Sequence, residues 1–503
     1  MRMDIKLIGG LDYNKVRDAV GNVITDENKI DEILSSIEDI EKARHAEIVS
    51  TAGRLSRFPG NVLEVLEKSE GKDITSNSNF ANKVISMGHK SITDHDYLVF
   101  ALKDVSVIIE HLLISERFAS FTIKSRREVD FSNAGYYVPE FRNKFLKSHG
   151  LNVTLESMYS NYIDDMFKKY SYLVDKGISK EDARFILPYC YYSNIMMGID
   201  AHTLLDMIIK FTKTKYAKIA EVKELGDKLY EIAKEYTPYL IPYIDAVPVN
   251  YEDSISDYLD SKIENDGYEI LDSVKLLNRT NDIDDTILIS AIMRRYQYSY
   301  DKAKSVYDEL CRDENFKKEF MKKITFEGDR SELSQVNFDF QIPVSYAILT
   351  HLQRHRTHKF MMPEFTDTDL LQYKVPPSIK KDKELYKLYK KIYSDNKKMY
   401  DKFLNNGVNK NDLIYFNLSG NMVNILTNMD GWTLRHILEL RECSKAQWET
   451  RKIAYDMHKE IDKLPDAEAF SSVLGPTCDT QGICNEGKES CGKVKRLEKH
   501  QKN

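Results

Sequence analysis

The feature that most restricts how this chain can fold is an internal repeat. The segment "DVSVIIEHLLISER", Asp104 to Arg117, aligns without a gap on "PVSYAILTHLQRHR", Pro343 to Arg356, and matches Val105 with Val344, Ser106 with Ser345, Ile109 with Ile348, Leu113 with Leu352 and Arg117 with Arg356. Upstream, "GHKSITDH" (Gly88 to His95) faces "GDRSELSQ" (Gly328 to Gln335), and downstream "DAHTLLDMI" from Asp200 faces "DGWTLRHIL" from Asp430, in the same order. Three matches in register point to one fold built twice, and 503 residues with 42% hydrophobic content can fill two ordinary cores. We expect two divergent copies, residues 1–246 and 247–475, joined through the acidic stretch "NYEDSISDYLDSKIENDG" and followed by a tail, residues 476–503.

Each copy reads as strand then helix. "NFDFQI" (Asn337 to Ile342) alternates polar and apolar residues as a half-buried strand does, and Pro343 suits the first turn of a helix that turns Val344, Ile348 and Leu352 to the core. Asp104 is expected to cap the equivalent helix in the first copy. "KIDEILSSIEDIEKARHAEIV" and "KELYKLYKKIYSDNKKMYDKFL" carry charged faces over apolar stripes, so the fold class is α+β with helix predominant.

The formal charge of -6 excludes a general nucleic-acid or membrane-surface binder. No segment approaches the uncharged run of roughly 20 residues that crosses a bilayer, so a cytoplasmic chain is expected. Against that acidic balance "HLQRHRTHKF" stands out, because Arg354, His355, Arg356, His358 and Lys359 crowd the end of a helix. Cations there offset the helix dipole. Two planar guanidinium forks flanking an imidazole also suit bidentate capture of phosphate, which makes the cluster a candidate anion site.

"GHKSITDH", "SERFASFTIKSRRE" and "ARFILP" in the first copy, with "RHR" (Arg354 to Arg356) and "LRHILELRECSKAQWETR" in the second, together resemble the flavin-dependent thymidylate synthase family. The family signature reads R-H-R-x-x-S-x-N-E-x-S-x-R, followed later by A-R-x-x-L-P. The first copy has Ser115 and Glu116 at the start of the signature but keeps Ser120, Ser125, Arg127 and Arg184. The second keeps Arg354, His355, Arg356 and Arg441, whose counterpart in the first is Phe211, and has Ile414 where Arg184 would fall. In this family the nucleotide site is assembled between subunits of a homotetramer, and the retained residues divide along that line.

The resemblance therefore implies two tandem copies of that fold, a mixed sheet with long helices, forming a pseudo-dimer with one composite site. It implies reductive methylation of dUMP to dTMP, with methylenetetrahydrofolate and NADPH as co-substrates and FAD as cofactor, in a homodimer equivalent to the family tetramer. Ser125, Arg127, Arg184, Arg354 and Arg441 would bind dUMP, with Arg354, Arg441 and Ser125 serving catalysis, and His89, Ser91, Asp94, His355, Arg356 and His436 would contact FAD. Thr122 and Ile123 replace the signature Asn and Glu, and Trp432 replaces a common arginine. These departures also admit a flavoenzyme acting on another pyrimidine nucleotide, or a non-catalytic nucleotide or flavin binder. As bare residues, Arg184 beside Asp182 reads equally as half of a surface ion pair, Arg441 in "ELRE" as a charged helix face, and His89 as a helix cap.

Three of the six cysteines, Cys478, Cys484 and Cys491, fall among glycines in the tail. They make a candidate site for zinc or an iron–sulfur cluster, although the spacing matches no C-x-x-C pair and the sequence offers no evident fourth ligand. The terminal "KVKRLEKHQKN" reads as a solvated basic end.

Overall fold

The computed structural model of the chain describes residues 3–141, 145–148, 151–264, 267–313 and 315–494, so most of the terminal basic segment lies outside the described residues. The repeat in the sequence is a repeat in topology. Asp4–Leu7, Tyr97–Ser106, Tyr192–Asp200 and Ala119–Ile123 form one four-stranded sheet in that order, and Lys275–Arg279, Asn337–Ser345, Met422–Asp430 and Lys359–Met361 form a second with the same order. Every pairing is antiparallel. Helices recur at matching places: Val107–Ile114 with Tyr346–Gln353, Leu155–Asp175 with Lys383–Leu404, Ala201–Lys213 with Gly431–Arg441, and Ala220–Tyr236 with Trp448–Asp462. The architecture is thus α+β in two copies. No helix among the described residues is long and apolar enough to cross a membrane.

The strand-to-helix joint differs from expectation in both copies. The second-copy strand runs through Pro343 to Ser345, and the helix begins only at Tyr346. Pro343 is tolerated there because the neighbouring strand Lys275–Arg279 pairs only with Phe338 to Gln341, which leaves that side of Pro343 with no ladder bond to lose. In the first copy Asp104 is no cap. It lies inside the strand at φ 56°, where the register slips between Leu102 and Val105, and Ser106 caps the helix instead by accepting from the Ile109 N–H. This bulge makes the first strand ten residues long against nine in the second. It absorbs the one-position change in repeat spacing between the Gly88/Gly328 and Val105/Val344 matches.

The chain divides into two compact units. One holds Met1–Lys180, Leu187–Gly267 and Lys398–Phe416; the other holds Glu181–Ile186, Tyr268–Lys397 and the chain from Asn417 onward. The first unit is filled by Phe100, Leu102, Ile109, Leu113, Met197 and Leu204, the second by Phe338, Phe340, Val344, Ile348, Ile425 and Leu434, all buried. Each such side chain contributes roughly 1.5–3 kcal/mol by leaving water. The short Glu181–Ile186 segment carries Arg184 into the unit that holds Arg354 and Arg441.

Candidate functional site

The cationic stretch sits where the helix Tyr346–Gln353 ends and the chain turns into the strand Lys359–Met361. The turn sorts its residues by face: His355 and His358 are buried, while Arg354 and Arg356 are exposed. His358 Nδ1 bonds Thr427 Oγ1 at 2.9 Å. Arg441 Nε donates to His355 Nε2 at 2.9 Å, which requires the proton of that imidazole to be on Nδ1, and Arg441 Nη2 donates to the His351 carbonyl at 3.1 Å. Burial, with the neighbouring charges of Arg441, His358 and His436, pushes His355 down to about 3. His355 is therefore a neutral spacer that aims a guanidinium, and the positive charge is carried by Arg354, Arg356 and Arg441.

Arg441 ends the helix Gly431–Arg441, which Asp430 starts by accepting from the Thr433 N–H at 2.7 Å. On the same helix Trp432 stacks on His436 with ring centroids 5.9 Å apart, and His436 meets His355 edge-on at 5.7 Å. Burial lowers the His436 pKa as well. Arg441 is thus no ordinary charged helix face, because it is half-buried and bonded to two partners at the helix end.

Arg184 is 3% exposed, which excludes the surface ion-pair reading. Its Nε donates to the Glu181 carbonyl at 3.2 Å. Its segment is clasped within the second unit: Trp448 Nε1 and Ser378 Oγ donate to Asp182, Trp448 stacks on Phe185, and Gly420 N and Tyr393 OH both donate to the Phe185 carbonyl at 2.7 Å. Adjacent Glu449 is buried and feels the charge of Arg184, and Thr450 Oγ1 bonds His351 Nδ1 at 3.1 Å. The start of the helix Trp448–Asp462 thus feels the charge of Arg184 at Glu449 and, through Thr450, bonds His351, whose carbonyl accepts from Arg441.

In the first unit, Ser125 is exposed in the turn after the strand Ala119–Ile123, and its Oγ accepts from the Arg127 N–H at 3.3 Å. Arg126 and Arg127 have separated roles. Arg126 is buried in an ion pair with Glu110, whereas Arg127 is half-buried. His89, at the start of the 3-10 turn Lys90–His95, makes no capping bond. With Ser91 it lines a cavity of about 440 Å³ that also receives Phe80, Arg57, Lys83 and His95. Asp94 bonds His202 Nδ1 at 2.8 Å instead.

This unit holds Ser115, Glu116 and Phe211 as counterparts of Arg354, His355 and Arg441, and Ile414 at the position of Arg184, while Arg117 keeps the cation of Arg356. Glu116 pairs with Lys210 at 2.6 Å, and Phe211 and Ile414 are buried.

Sequence reasoning missed several residues. Glu221 and Glu449 are buried at the starts of equivalent helices, where each accepts from the N–H of the serine that ends the long strand, Ser106 or Ser345, at 2.8 Å. A glutamate at the second residue of each of these helices was the available signal. Arg435, 2% exposed and paired with Glu439 at 3.0 Å, had none, because its counterpart in the first copy is Leu205. Among the described residues no three His, Cys, Asp or Glu side chains are drawn close enough to hold a single metal ion, the tail cysteines included.

The family profile described as "Thymidylate synthase complementing protein" matches residues 40–239 and again 275–465. The "Flavin-dependent thymidylate synthase" of Pyrococcus furiosus is 31% identical over 182 residues, covering 34% of this chain and 75% of that protein. The protein of the same name from Saccharolobus solfataricus is 33% identical over 213 residues, 41% of this chain and 78% of its own length, and that from Clostridium tetani 28% identical over 213 residues, 38% and 84%. Each relative thus matches a length close to one copy.

Proposed function

The chain belongs to the thymidylate synthase complementing protein family in both of its copies, and from that premise we propose that it is a flavin-dependent thymidylate synthase with one composite active site per pair of copies. The observation that carries this reading is the division of charge. Arg354 and Arg441 of the second copy and the buried Arg184 of the first share one compact unit, and their counterparts, Ser115 and Phe211 in the first copy and Ile414 in the second, fall in the other. The reaction is methylation of dUMP at the pyrimidine C5, with methylenetetrahydrofolate supplying the methylene and NADPH the electrons. A gene duplication would place both half-sites in one chain, a pseudo-dimer, and two chains would restore the four copies of the family tetramer. The absence of a long apolar helix among the described residues accords with work in the cytoplasm.

Each side chain then has a task. Arg127 and Arg184 hold the phosphate, Ser125 donates a hydrogen bond to it, and Arg354 and Arg441 grip the pyrimidine carbonyls. Arg441 is held for this by His355 and the His351 carbonyl, so that its charge is in place before negative charge develops on the ring. FAD suits the lining of the 440 Å³ cavity, where Phe80 offers a ring face and Arg57, Lys83, His89 and Ser91 offer donors for phosphate. His355, Arg356, His436 and Asp94 complete its contacts. Bound FAD supplies the electron transfer, which no side chain can perform.

Flavin absorbance of the purified chain and dUMP-dependent NADPH oxidation with methylenetetrahydrofolate test the reading. Arg127→Ala and Arg354→Ala should each abolish dTMP formation, and the double variant should be no worse than either single, because both arginines serve one ligand. A colourless protein that binds no dUMP, or losses that add in full, would overturn it.

A further inference from the structure

Four of the six cysteines, Cys443, Cys478, Cys484 and Cys491, line one cavity of about 270 Å³. Cys443 comes from the turn two residues beyond Arg441, far from the tail in sequence, and supplies the fourth thiol that the tail lacks. The tail is shaped to bring its three thiols round. Gly482, Gly487 and Gly492 each adopt positive φ (71°, 52° and 77°) with open space where a Cβ would stand, so the loop turns left-handed in or beside each interval between cysteines.

The size of the gap indicates what fits. Zinc holds its thiolates at about 2.3 Å, which brings the sulfurs to within about 4 Å of one another. No three of these side chains come close enough to share one ion. A cube of four irons and four sulfides takes one thiolate at each iron and needs its ligands further apart, round a volume of its own. We propose that Cys443, Cys478, Cys484 and Cys491 bind a [4Fe–4S] cluster that ties the C-terminal loop to the end of the helix bearing Arg441. The cavity lining also carries three cations, Lys445, Arg451 and Lys493, and three carboxylates, Glu439, Glu442 and Glu486. The inference does not rest on the nucleotide reading, since none of the four cysteines is among the residues assigned there to dUMP or FAD.

The test is anaerobic reconstitution of the full chain with equal amounts of ferric and ferrous iron and with sulfide, followed by desalting and, for EPR, reduction with dithionite. About four irons and four acid-labile sulfides per chain are expected, with a reduced-cluster EPR signal distinct from a flavin radical. Cys443→Ser should lose most of the iron, whereas Cys311→Ser, outside the cavity, should keep it. If Cys443→Ser misfolds, judged by circular dichroism and thermal melt, Cys491→Ser on the exposed loop serves in its place and should lose iron likewise. One tightly held zinc in place of iron, no metal at all, or iron retained in full by folded Cys443→Ser or Cys491→Ser overturns the proposal.

Discussion

The helix that leaves the long strand ends in opposite ways in the two copies. In the second it runs out into Arg354, His355 and Arg356, with Arg441 bonded across the turn. In the first it runs out into Ser115, Glu116 and Arg117, so only the last cation is kept, the carboxylate is consumed by Lys210, and Phe211 fills the place of Arg441. The scaffolding is nonetheless the same, down to the serine N–H that each buried glutamate accepts from, Ser106 to Glu221 and Ser345 to Glu449. What has diverged is the polarity of surfaces that would meet a ligand, while the groups that close the fold have stayed. The first copy keeps a different set, Ser125 and Arg127, and lends Arg184 to the second unit.

The sharpest way to break this comparison is to give the second copy the residue of the first. Arg441→Phe removes both guanidinium bonds and the charge between them. We expect kcat/KM for dUMP to fall on the order of 10²–10³-fold, the usual cost of losing one preorganised donor to developing charge, with little change in melting temperature. Steady-state kinetics and a thermal melt check it, and a loss of threefold or less would mean the retained arginine has no privileged role. A smaller effect is expected at Gly420, whose Cβ would meet the Tyr389 hydroxyl at 2.9 Å, the Phe185 carbonyl at 3.0 Å and the Tyr393 hydroxyl. Gly420→Ala should cost about 1–3 kcal/mol by overpacking. It should weaken dUMP binding more than NADPH binding, because the carbonyl it displaces follows Arg184 directly. Denaturant unfolding and dUMP titration separate the two effects.

The duplication was legible because apolar residues at helical spacing survive divergence: Val105, Ile109 and Leu113 are buried in the positions of Val344, Ile348 and Leu352. The two long helices were legible for the same reason. The strand-to-helix joint was not, since Pro343 reads as a helix start by local preference and becomes a strand residue only when the short neighbouring strand stops before it. Nor was the turn bearing the cationic cluster. The sequence shows five basic residues within the six positions Arg354 to Lys359, but only the fold buries the imidazoles, exposes the guanidiniums and brings Arg441 to His355. Similarly, nothing in "ARFILP" says that Arg184 joins the other compact unit, because that depends on Gly420, Tyr393 and Trp448, far along the chain.

The two buried glutamates sharpen the comparison most finely. Burial pushes Glu221 up to about 7, against the hydrogen bonds from Ser106 and Tyr415 that favour its charged form. Glu449 is raised by burial too, but Lys374 and Arg184 pull it back, whereas the charge of Glu224 raises Glu221 further. A carboxyl whose folded pKa lies above its unfolded value near 4.5 binds more protons when folded, so its contribution to stability is complete below that value and is lost as pH rises through the folded one. For Glu221 the window is about pH 4.5 to 7. Glu221→Gln keeps an acceptor for the Ser106 N–H and offers its amide to Tyr415, and it cannot ionise. It should therefore flatten the fall in stability across that window by on the order of 1 kcal/mol, with Glu449→Gln flattening it less. Denaturant midpoints taken at pH 5 and pH 7.5 for both variants decide the matter. An equal effect at the two sites would show that the cations around Glu449 are too well solvated to matter, and the electrostatic contrast between the copies would then be confined to the arginine cluster itself.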